Sequence, residues 1–224
     1  MSGEQPVRLF LVRHGNTFAE GETPRQVGKK TDLPLTEKGE QQARRMGLWL
    51  CKTGILPEKI FAGCLQRQQK AAQIIAGQLE PPPLVRTGDD ALDELDYGAW
   101  EGLTSAEIEA QWPNQYRQWN ESALWPADIF GGSCANRLLL IEEWLQDLRR
   151  DCRPGETVVA VSSNGIIRFF CTFVPGMFER ISAERQMKTL KVGTGNYCEM
   201  QILPDCLSVV SWNQVPPPEP EAGR

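Results

Sequence analysis

Apolar positions along the chain fall into short unbroken runs separated by longer stripes. Residues 7–12 read Val-Arg-Leu-Phe-Leu-Val, and the four apolar residues in a row at their end suit a central strand buried on both faces. Residues 157–162, Thr-Val-Val-Ala-Val-Ser, are β-branched and apolar enough to predict a second central strand, the fourth in chain order. Shorter runs at 59–62 and 84–86 predict the two strands between them. Elsewhere the spacing lengthens to that of a helix. Thr36 is a good N-cap followed by Glu37, and Met46, Leu50 and Thr53 keep helical spacing as far as Gly54. Ala72, Ile75, Ala76 and Leu79 form one stripe of a helix over 65–79, which Pro81-Pro82-Pro83 forbids from continuing. Thr104 and Glu107 make a capping box for a helix that stops near Trp112-Pro113. Residues 136–150 predict an amphipathic helix, residues 166–173 a helix packed behind the fourth strand, and residues 197–203 with 207–212 a terminal antiparallel pair around Pro204-Asp205. From Trp112 to Phe130 no period is visible, which predicts a partly helical excursion over one edge of the domain.

Strands that alternate with helices predict an α/β fold, a three-layer α/β/α sandwich around a mostly parallel central sheet. No repeat divides the chain, so residues 1–213 read as one domain, followed by a Pro-rich disordered tail at 214–224.

Charge and composition then remove several function classes. A net charge of −5 argues against a broad nucleic-acid surface, while leaving room for a small basic pocket. No stretch approaches the roughly 18 consecutive apolar residues of a membrane span. The N-terminus lacks the basic-then-apolar layout of a signal peptide, so the cytoplasm is the expected location and no membrane partner is expected. Seven cysteines without a C-x-x-C pair, beside a single histidine, do not make a zinc set and read as reduced thiols. Nothing in the pattern specifies an oligomeric state.

Candidate chemistry gathers where the first strand ends, in Arg13-His14-Gly15-Asn16. Ligands of open α/β sheets sit beyond the carboxyl ends of the strands. His14 is the only histidine, so any chemistry that needs an imidazole falls to it. A neutral imidazole is a competent nucleophile toward phosphorus, and a neighbouring guanidinium matches phosphoryl oxygens. Gly15 lets backbone approach a ligand closely. A surface loop that happens to read Arg-His-Gly is the plain alternative for the tripeptide alone.

Wider blocks change that balance. Leu11-Val12-Arg13-His14-Gly15-Asn16-Thr17, followed by Pro34-Leu35-Thr36-Glu37-Lys38-Gly39, resembles the opening of the histidine phosphatase superfamily. That family includes cofactor-dependent phosphoglycerate mutases and many acid or broad-specificity phosphatases. Cys64-Leu65-Gln66-Arg67-Gln68-Gln69-Lys70-Ala71 is similar to the family's strand-to-helix segment, whose arginine binds phosphate. Leu92-Asp93-Glu94-Leu95-Asp96-Tyr97-Gly98-Ala99-Trp100-Glu101-Gly102 is similar to the acidic block that supplies its proton donor. The resemblance implies a phosphoglycerate mutase-like fold and a phosphatase that acts on a small phosphomonoester with no metal or organic cofactor. It makes His14 the phosphoryl acceptor, Arg13 and Arg67 the clamp on the equatorial oxygens, and Asn16 a hydrogen-bond donor from the loop. Glu94 becomes general acid and then base, a role that needs its pKa raised by burial or by carboxylate neighbours, for which Asp93, Asp96 and Glu101 are available.

The chain also departs from the family pattern. Where the family reads Val-Ser-His-Gly-Gly after the fourth strand, this sequence reads Val161-Ser162-Ser163-Asn164-Gly165. Ser163 and Asn164 thus stand in the phosphate-binding segment, without the second histidine. Loss of such a donor costs roughly 10²–10³ in rate where it has been measured. Gly131-Gly132-Ser133 stands where many phosphatases read Gly-Glu-Ser, so a carboxylate is missing too, and the two losses together keep the pocket's charge nearly balanced. Lys188 and Lys191, before the terminal strands, and Arg25, in the loop after the first strand, are candidates for a substitute cation. Two readings follow: a phosphatase working through phosphohistidine at His14, or a catalytically degenerate relative that binds a phosphorylated ligand or a protein.

Overall fold

The two long apolar runs form the middle of the sheet. The computed structural model describes residues 5–177 and 190–218. Its strands are β1 (Val7–Arg13), β2 (Lys59–Ala62), β3 (Leu84–Thr87), β4 (Thr157–Ser162), β5 (Tyr197–Ile202) and β6 (Leu207–Gln214), in the order β3-β2-β4-β1-β5-β6. β1 and β4 pair in parallel with Leu9 opposite Val158 and Arg13 opposite Ser162. β2 is parallel to both β3 and β4, whereas β5 and β6 add an antiparallel edge. Side chains alternate across a strand, so both faces of β1 and β4 must be covered. Leu9, Leu11, Val158 and Ala160 enter one core layer, and Phe10, Val12, Val159 and Val161 enter the other. Each of these valine, leucine and phenylalanine side chains contributes on the order of 1.5–3 kcal/mol by leaving water.

Helices cover the two faces, which makes the mixed α/β, three-layer fold that the alternation of elements predicts. α1 (Glu37–Lys52) starts at Thr36, whose hydroxyl accepts from the Gly39 amide at 3.2 Å. α2 (Gln66–Ala76) is shorter than its apolar stripe. Beyond Ala76 the amides of Gln78 and Leu79 bond three residues back, to Ile75 and Ala76, and this tighter winding still buries Leu79. α3 (Ser105–Gln111) has the reciprocal cap of Thr104 and Glu107. α5 (Cys134–Asp151) begins two residues earlier than the spacing predicts because Ser133 caps it. α6 (Asn164–Phe169) runs into a 3-10 turn at Phe170–Phe173, so the expected single helix is split.

The aperiodic stretch 112–130 contains α4 (Pro113–Ser122), with Pro113 at a position that needs no amide donor. This helix buries only Trp119, which packs edge-on against Tyr97 and Phe130 at 6.3 and 5.1 Å between ring centroids. One buried residue leaves no stripe for a period to register. At the other end, β6 continues to Gln214 and Pro216 is buried, so the Pro-rich segment begins packed on the domain rather than as a tail; residues 219–224 lie outside the described residues. No helix among the described residues is long and apolar enough to cross a membrane.

Candidate active site

β1 and β4 end side by side, and the chain turns there into the cavity-lining loops. The His14 amide still bonds the Ser162 carbonyl at 3.0 Å, so the imidazole leaves the sheet on a fixed backbone. Beyond this edge lies a cavity of about 480 Å³, lined by Arg13, His14, Asn16, Arg67, Glu94, Asn164, Arg168 and Lys191 among others. Five segments of the chain, from Arg13 to Lys191, thus meet at one point.

His14 is 6% exposed. Its Nδ1 lies 2.8 Å from the Gly15 carbonyl, which can only accept, so Nδ1 carries the proton. Arg67 Nε donates to Nε2 at 3.2 Å, so Nε2 presents a lone pair. Burial, then the charges of Arg67 and Arg13, hold the imidazole well below its usual pKa of 6.5. The ring is therefore neutral at physiological pH, in the tautomer a nucleophile needs.

Arg67, in the first turn of α2, is 1% exposed and donates from all three of its nitrogens, with one N–H left on each Nη. Besides His14, it donates from Nη1 to the Thr31 carbonyl at 2.9 Å and from Nη2 to the Gly28 carbonyl at 3.2 Å. The polar loop after β1 thus wraps the guanidinium. Arg13 donates from Nη1 to the Val192 carbonyl at 2.6 Å, while its buried Nε has no partner among the described residues. Burial draws its pKa down to about 10 against the pull of Glu94.

Glu94 is 4% exposed and sits against the start of α6. Oε1 accepts from the Leu95 amide at 2.9 Å and Oε2 from the Gly165 amide at 3.4 Å. Burial raises its pKa above the usual 4.5, against the Leu95 amide, Arg67, the Gly165 amide and Arg13, which all favour the charged form. The neighbouring carboxylates are engaged elsewhere and are not among its main influences. Asp93 accepts from the Cys64 amide, Asp96 pairs with Lys30 at 2.8 Å, and Glu101 accepts from Thr31 at 2.6 Å. A Cβ at Gly165 would stand 2.5 Å from Glu94 Oε1 and still closer to the Tyr97 hydroxyl, so only glycine fits there.

The remaining sequence candidates divide. Gly15 makes room for protein rather than ligand, since a Cβ there would strike the backbone of Gly39 in α1. Asn16 lines the cavity and its Oδ1 accepts from the Thr194 hydroxyl, which leaves its amide nitrogen as the donor. Ser163 is 1% exposed, does not line the cavity, and accepts from Gln68 Nε2 at 3.0 Å. Asn164 lines it and accepts from the Val192 amide at 2.8 Å. Arg25 lies at the rim, donating to the Gly102 carbonyl at 2.8 Å with Glu107 3.7 Å away. Lys191 lines the cavity, where burial and the charges of Arg13 and Arg168 lower its pKa. Lys188 lies outside the described residues. The Gly131-Gly132-Ser133 segment borders a separate, smaller cavity, and Gly131 makes room for the Asp96 carboxylate.

Three residues of the site have no role in the sequence reading. Arg168 is 2% exposed, donates to the Trp119 carbonyl at 3.1 Å and lies 5.0 Å over the Trp119 ring. A lone arginine within the apolar run 166–173 is the signal for it. Tyr97 and Gln68 stand inside the matched blocks, but nothing in their spacing marks them. Outside the cavity, Cys64, Asp90 and Asp93 bring potential metal-ligating atoms within 4.8 Å of one another. Burial and the two carboxylates push the Cys64 thiol up to about 11, so it is protonated and a poor ligand. A larger groove of about 790 Å³ between α5 and β3 is lined by four aspartates, Lys59 and Arg86 and has no imidazole.

Comparison with known proteins accords with this geometry. The chain matches the family model of the histidine phosphatase superfamily (branch 1) over residues 9–215. A 2,3-bisphosphoglycerate-dependent phosphoglycerate mutase of Corynebacterium diphtheriae is 35% identical over 118 residues, 51% of this chain and 46% of the mutase, so the match spans about half of that relative's length. The mutase of Methylorubrum populi is 26% identical over 81% of this chain and 85% of its own. Among solved structures, mycobacterial glucosyl-3-phosphoglycerate phosphatase in complex with VO3 superposes with a TM-score of 0.70 at 24% identity, covering 92% of this chain and 98% of that one. The alpha-ribazole phosphatase of Shigella flexneri gives 0.63 at 19% identity, covering 92% and 96%. These neighbours share the fold, and the family match spans nearly the whole described chain. The chain belongs to the histidine phosphatase superfamily.

Proposed function

We propose that the protein is a phosphatase that hydrolyses a small phosphomonoester through a phosphohistidine at His14. Relatives named as phosphatases and mutases support phosphatase- or mutase-type activity as the broader class. The observation that carries the narrower reading is the pairing of a neutral imidazole, its Nε2 lone pair held by Arg67, with a buried Glu94 of raised pKa in the same cavity. Nε2 gives up its bond from Arg67 Nε as the phosphoryl group enters and attacks phosphorus, the bond to the leaving oxygen breaks, and the Glu94 carboxyl gives its proton to the departing alkoxide. Glu94, now ionised, takes a proton from water as that water attacks the phosphohistidine, which releases inorganic phosphate and restores the imidazole. Arg13 and Arg67 stabilise the charge on the equatorial oxygens, and Asn16 adds a neutral donor. Seven unpaired cysteines support a reducing, cytoplasmic setting.

One observation favours a second reading, in which the fold binds a phosphorylated ligand with little turnover. Ser163, at the position of the family's second histidine, is withdrawn from the cavity and held by Gln68. Phosphate release from an aryl phosphate between pH 4 and 8 separates the two. The phosphatase reading expects turnover in the wild type that His14→Ala abolishes. An inactive wild type that gains activity through Ser163→His would overturn it in favour of the binder.

A further inference from the structure

We infer that Lys191 is a catalytic residue of this cavity, its ammonium supplying charge to the transferring phosphoryl group, and that Asn164 is the residue that positions it. The inference rests on the phosphatase reading of His14.

The serine at 163 leaves a functional gap. Its hydroxyl is buried, accepts from Gln68 and does not line the cavity, so it brings no charge to a bound phosphoryl group. Of the other cations around the cavity, Arg168 is 2% exposed, with Nη1 on the Trp119 carbonyl and Nη2 on Asn120 Oδ1 at 3.3 Å, so only its Nε is without a partner among the described residues. Arg25 is held at the rim by Gly102. Lys191 is exposed to the cavity and stands on a segment fastened to the centre of the site.

That fastening is built from both sides. Leu190 and Val192 are fully buried, and the Leu190 amide approaches the Asn120 carbonyl at 3.4 Å. The Val192 carbonyl accepts from Arg13 Nη1 at 2.6 Å, which sets the lysine beside the guanidinium that flanks His14. The Val192 amide donates to Asn164 Oδ1 at 2.8 Å. Further along, the Gly195 amide reaches the carbonyls of Arg13 and His14 at 3.1 and 3.2 Å, and the Thr194 hydroxyl donates to Asn16. Lys191 therefore rides on a loop tied to the residues on either side of the nucleophile. A glycine at 164, as in the family pattern, has no side chain to make the bond to Val192. The two departures from that pattern are thus linked: position 163 withdraws a group from the cavity, and position 164 holds the loop that brings another.

Electrostatics agree with this placement. Lys191 faces Arg13 and Arg168, so three like charges share one wall, with Glu94 the acid opposite Arg13 and Arg168. Such a cluster is costly until a multiply charged anion enters, and phosphoryl transfer concentrates negative charge on the equatorial oxygens.

Kinetics on an aryl phosphate test the assignment in the full chain. Lys191→Met should lower kcat about 10²-fold, the usual effect of removing one transition-state donor, with KM changed much less. Lys191→Arg should keep activity within about tenfold of wild type, since charge is retained. Asn164→Gly should lower kcat about tenfold alone and add nothing in the Lys191→Met background, as expected of a residue that acts through another. Inhibition by orthovanadate, which adopts five-coordinate geometry, should weaken with Lys191→Met in parallel with kcat. Far-ultraviolet dichroism should match wild type and the melting temperature should not fall, because the substitution relieves one of three like charges. A Lys191→Met enzyme with kcat and orthovanadate inhibition within threefold of wild type overturns the inference. If the wild type shows no turnover, the phosphatase reading falls, and calorimetric binding of orthovanadate decides Lys191 by itself: affinity unchanged in Lys191→Met refutes it, and a marked loss sustains its role as an anion ligand.

Discussion

Replacing Arg67 with lysine keeps the charge of the site but removes its fork, and the hydrogen bonds indicate the cost. Arg67 serves three acceptors at once: His14 Nε2, the Thr31 carbonyl and the Gly28 carbonyl. A lysine in the same space reaches one of them. Each charge-assisted bond is worth about 1.5–3 kcal/mol. The Gly28 carbonyl retains a long bond from the Thr31 amide at 3.4 Å, which places its loss at the low end. Arg67→Lys should therefore lose about 3–4.5 kcal/mol of stability, a large part of a typical total of about 5–15 kcal/mol. Urea unfolding measures it. The same substitution should cut kcat about 10²-fold, since Nε2 is no longer oriented and a phosphoryl clamp becomes a point charge. Arg67→Met removes the charge as well. Because His14 is the only histidine, its ring protons give one resolved titration by NMR, and in Arg67→Met that titration should move upward. Stability within about 0.5 kcal/mol of wild type in Arg67→Lys, or a His14 titration that stays in place in Arg67→Met, refutes the reasoning.

Two further substitutions probe the acid. Glu94→Gln should lower kcat by about 10²–10⁴ and remove the alkaline limb of the pH–rate profile, because only the protonated carboxyl can serve the leaving group. Its stability effect has a definite sign: the folded-state pKa lies above the usual 4.5, so the carboxyl's contribution is fully present below that value and is lost as pH rises through the folded pKa. Melting temperatures measured from pH 4 to 8 should show this decline in the wild type but not in Glu94→Gln; a parallel decline in both assigns it to another group. Gly165→Ala drives a methyl group onto Glu94 and the Tyr97 hydroxyl, and should cost about 1–3 kcal/mol and most of the activity. A fully active, equally stable Gly165→Ala protein would mean that the carboxylate is not held where activity requires it.

The central strands and most helices were legible because burial on two faces leaves a continuous apolar run, and burial on one leaves a stripe. α4 was not, because a helix that buries only Trp119 has no stripe to read. In the site, His14, Arg13, Arg67 and Glu94 were legible as residue types in ordered blocks, and the structure brings them to one cavity. What each block residue touches was not legible. Gly15 is required by a backbone crossing 24 residues downstream, at Gly39, and local sequence carries no trace of that contact. Gln68 looked like an ordinary helix residue beside Arg67, yet its amide engages Ser163 and the Leu92 carbonyl across two other elements. Position 163 was legible only as a departure from the pattern the resemblance implies, and its contact with Gln68 was not legible.

One physical cause prepares both halves of the proposed reaction. Burial penalises charge of either sign, so it lowers the pKa of an imidazole and raises that of a carboxyl. In this cavity it leaves His14 neutral, with its Nε2 lone pair facing Arg67, and favours a proton on Glu94. The arginines do not act symmetrically on this pair. Their charge pushes His14 further toward the neutral form but pulls Glu94 toward the ionised one. Adding cations therefore secures the nucleophile and phosphoryl binding while weakening the acid, and the balance must be struck by how deeply Glu94 is buried. Gly165 serves that balance: with no side chain it lets α6 close over the carboxyl, and its amide supplies only the long contact of 3.4 Å. The consequence is directional. Any substitution that opens the α6 side of the cavity to water lowers the Glu94 pKa and moves the alkaline limb of activity toward acid, whereas one that removes an arginine charge moves it toward alkali.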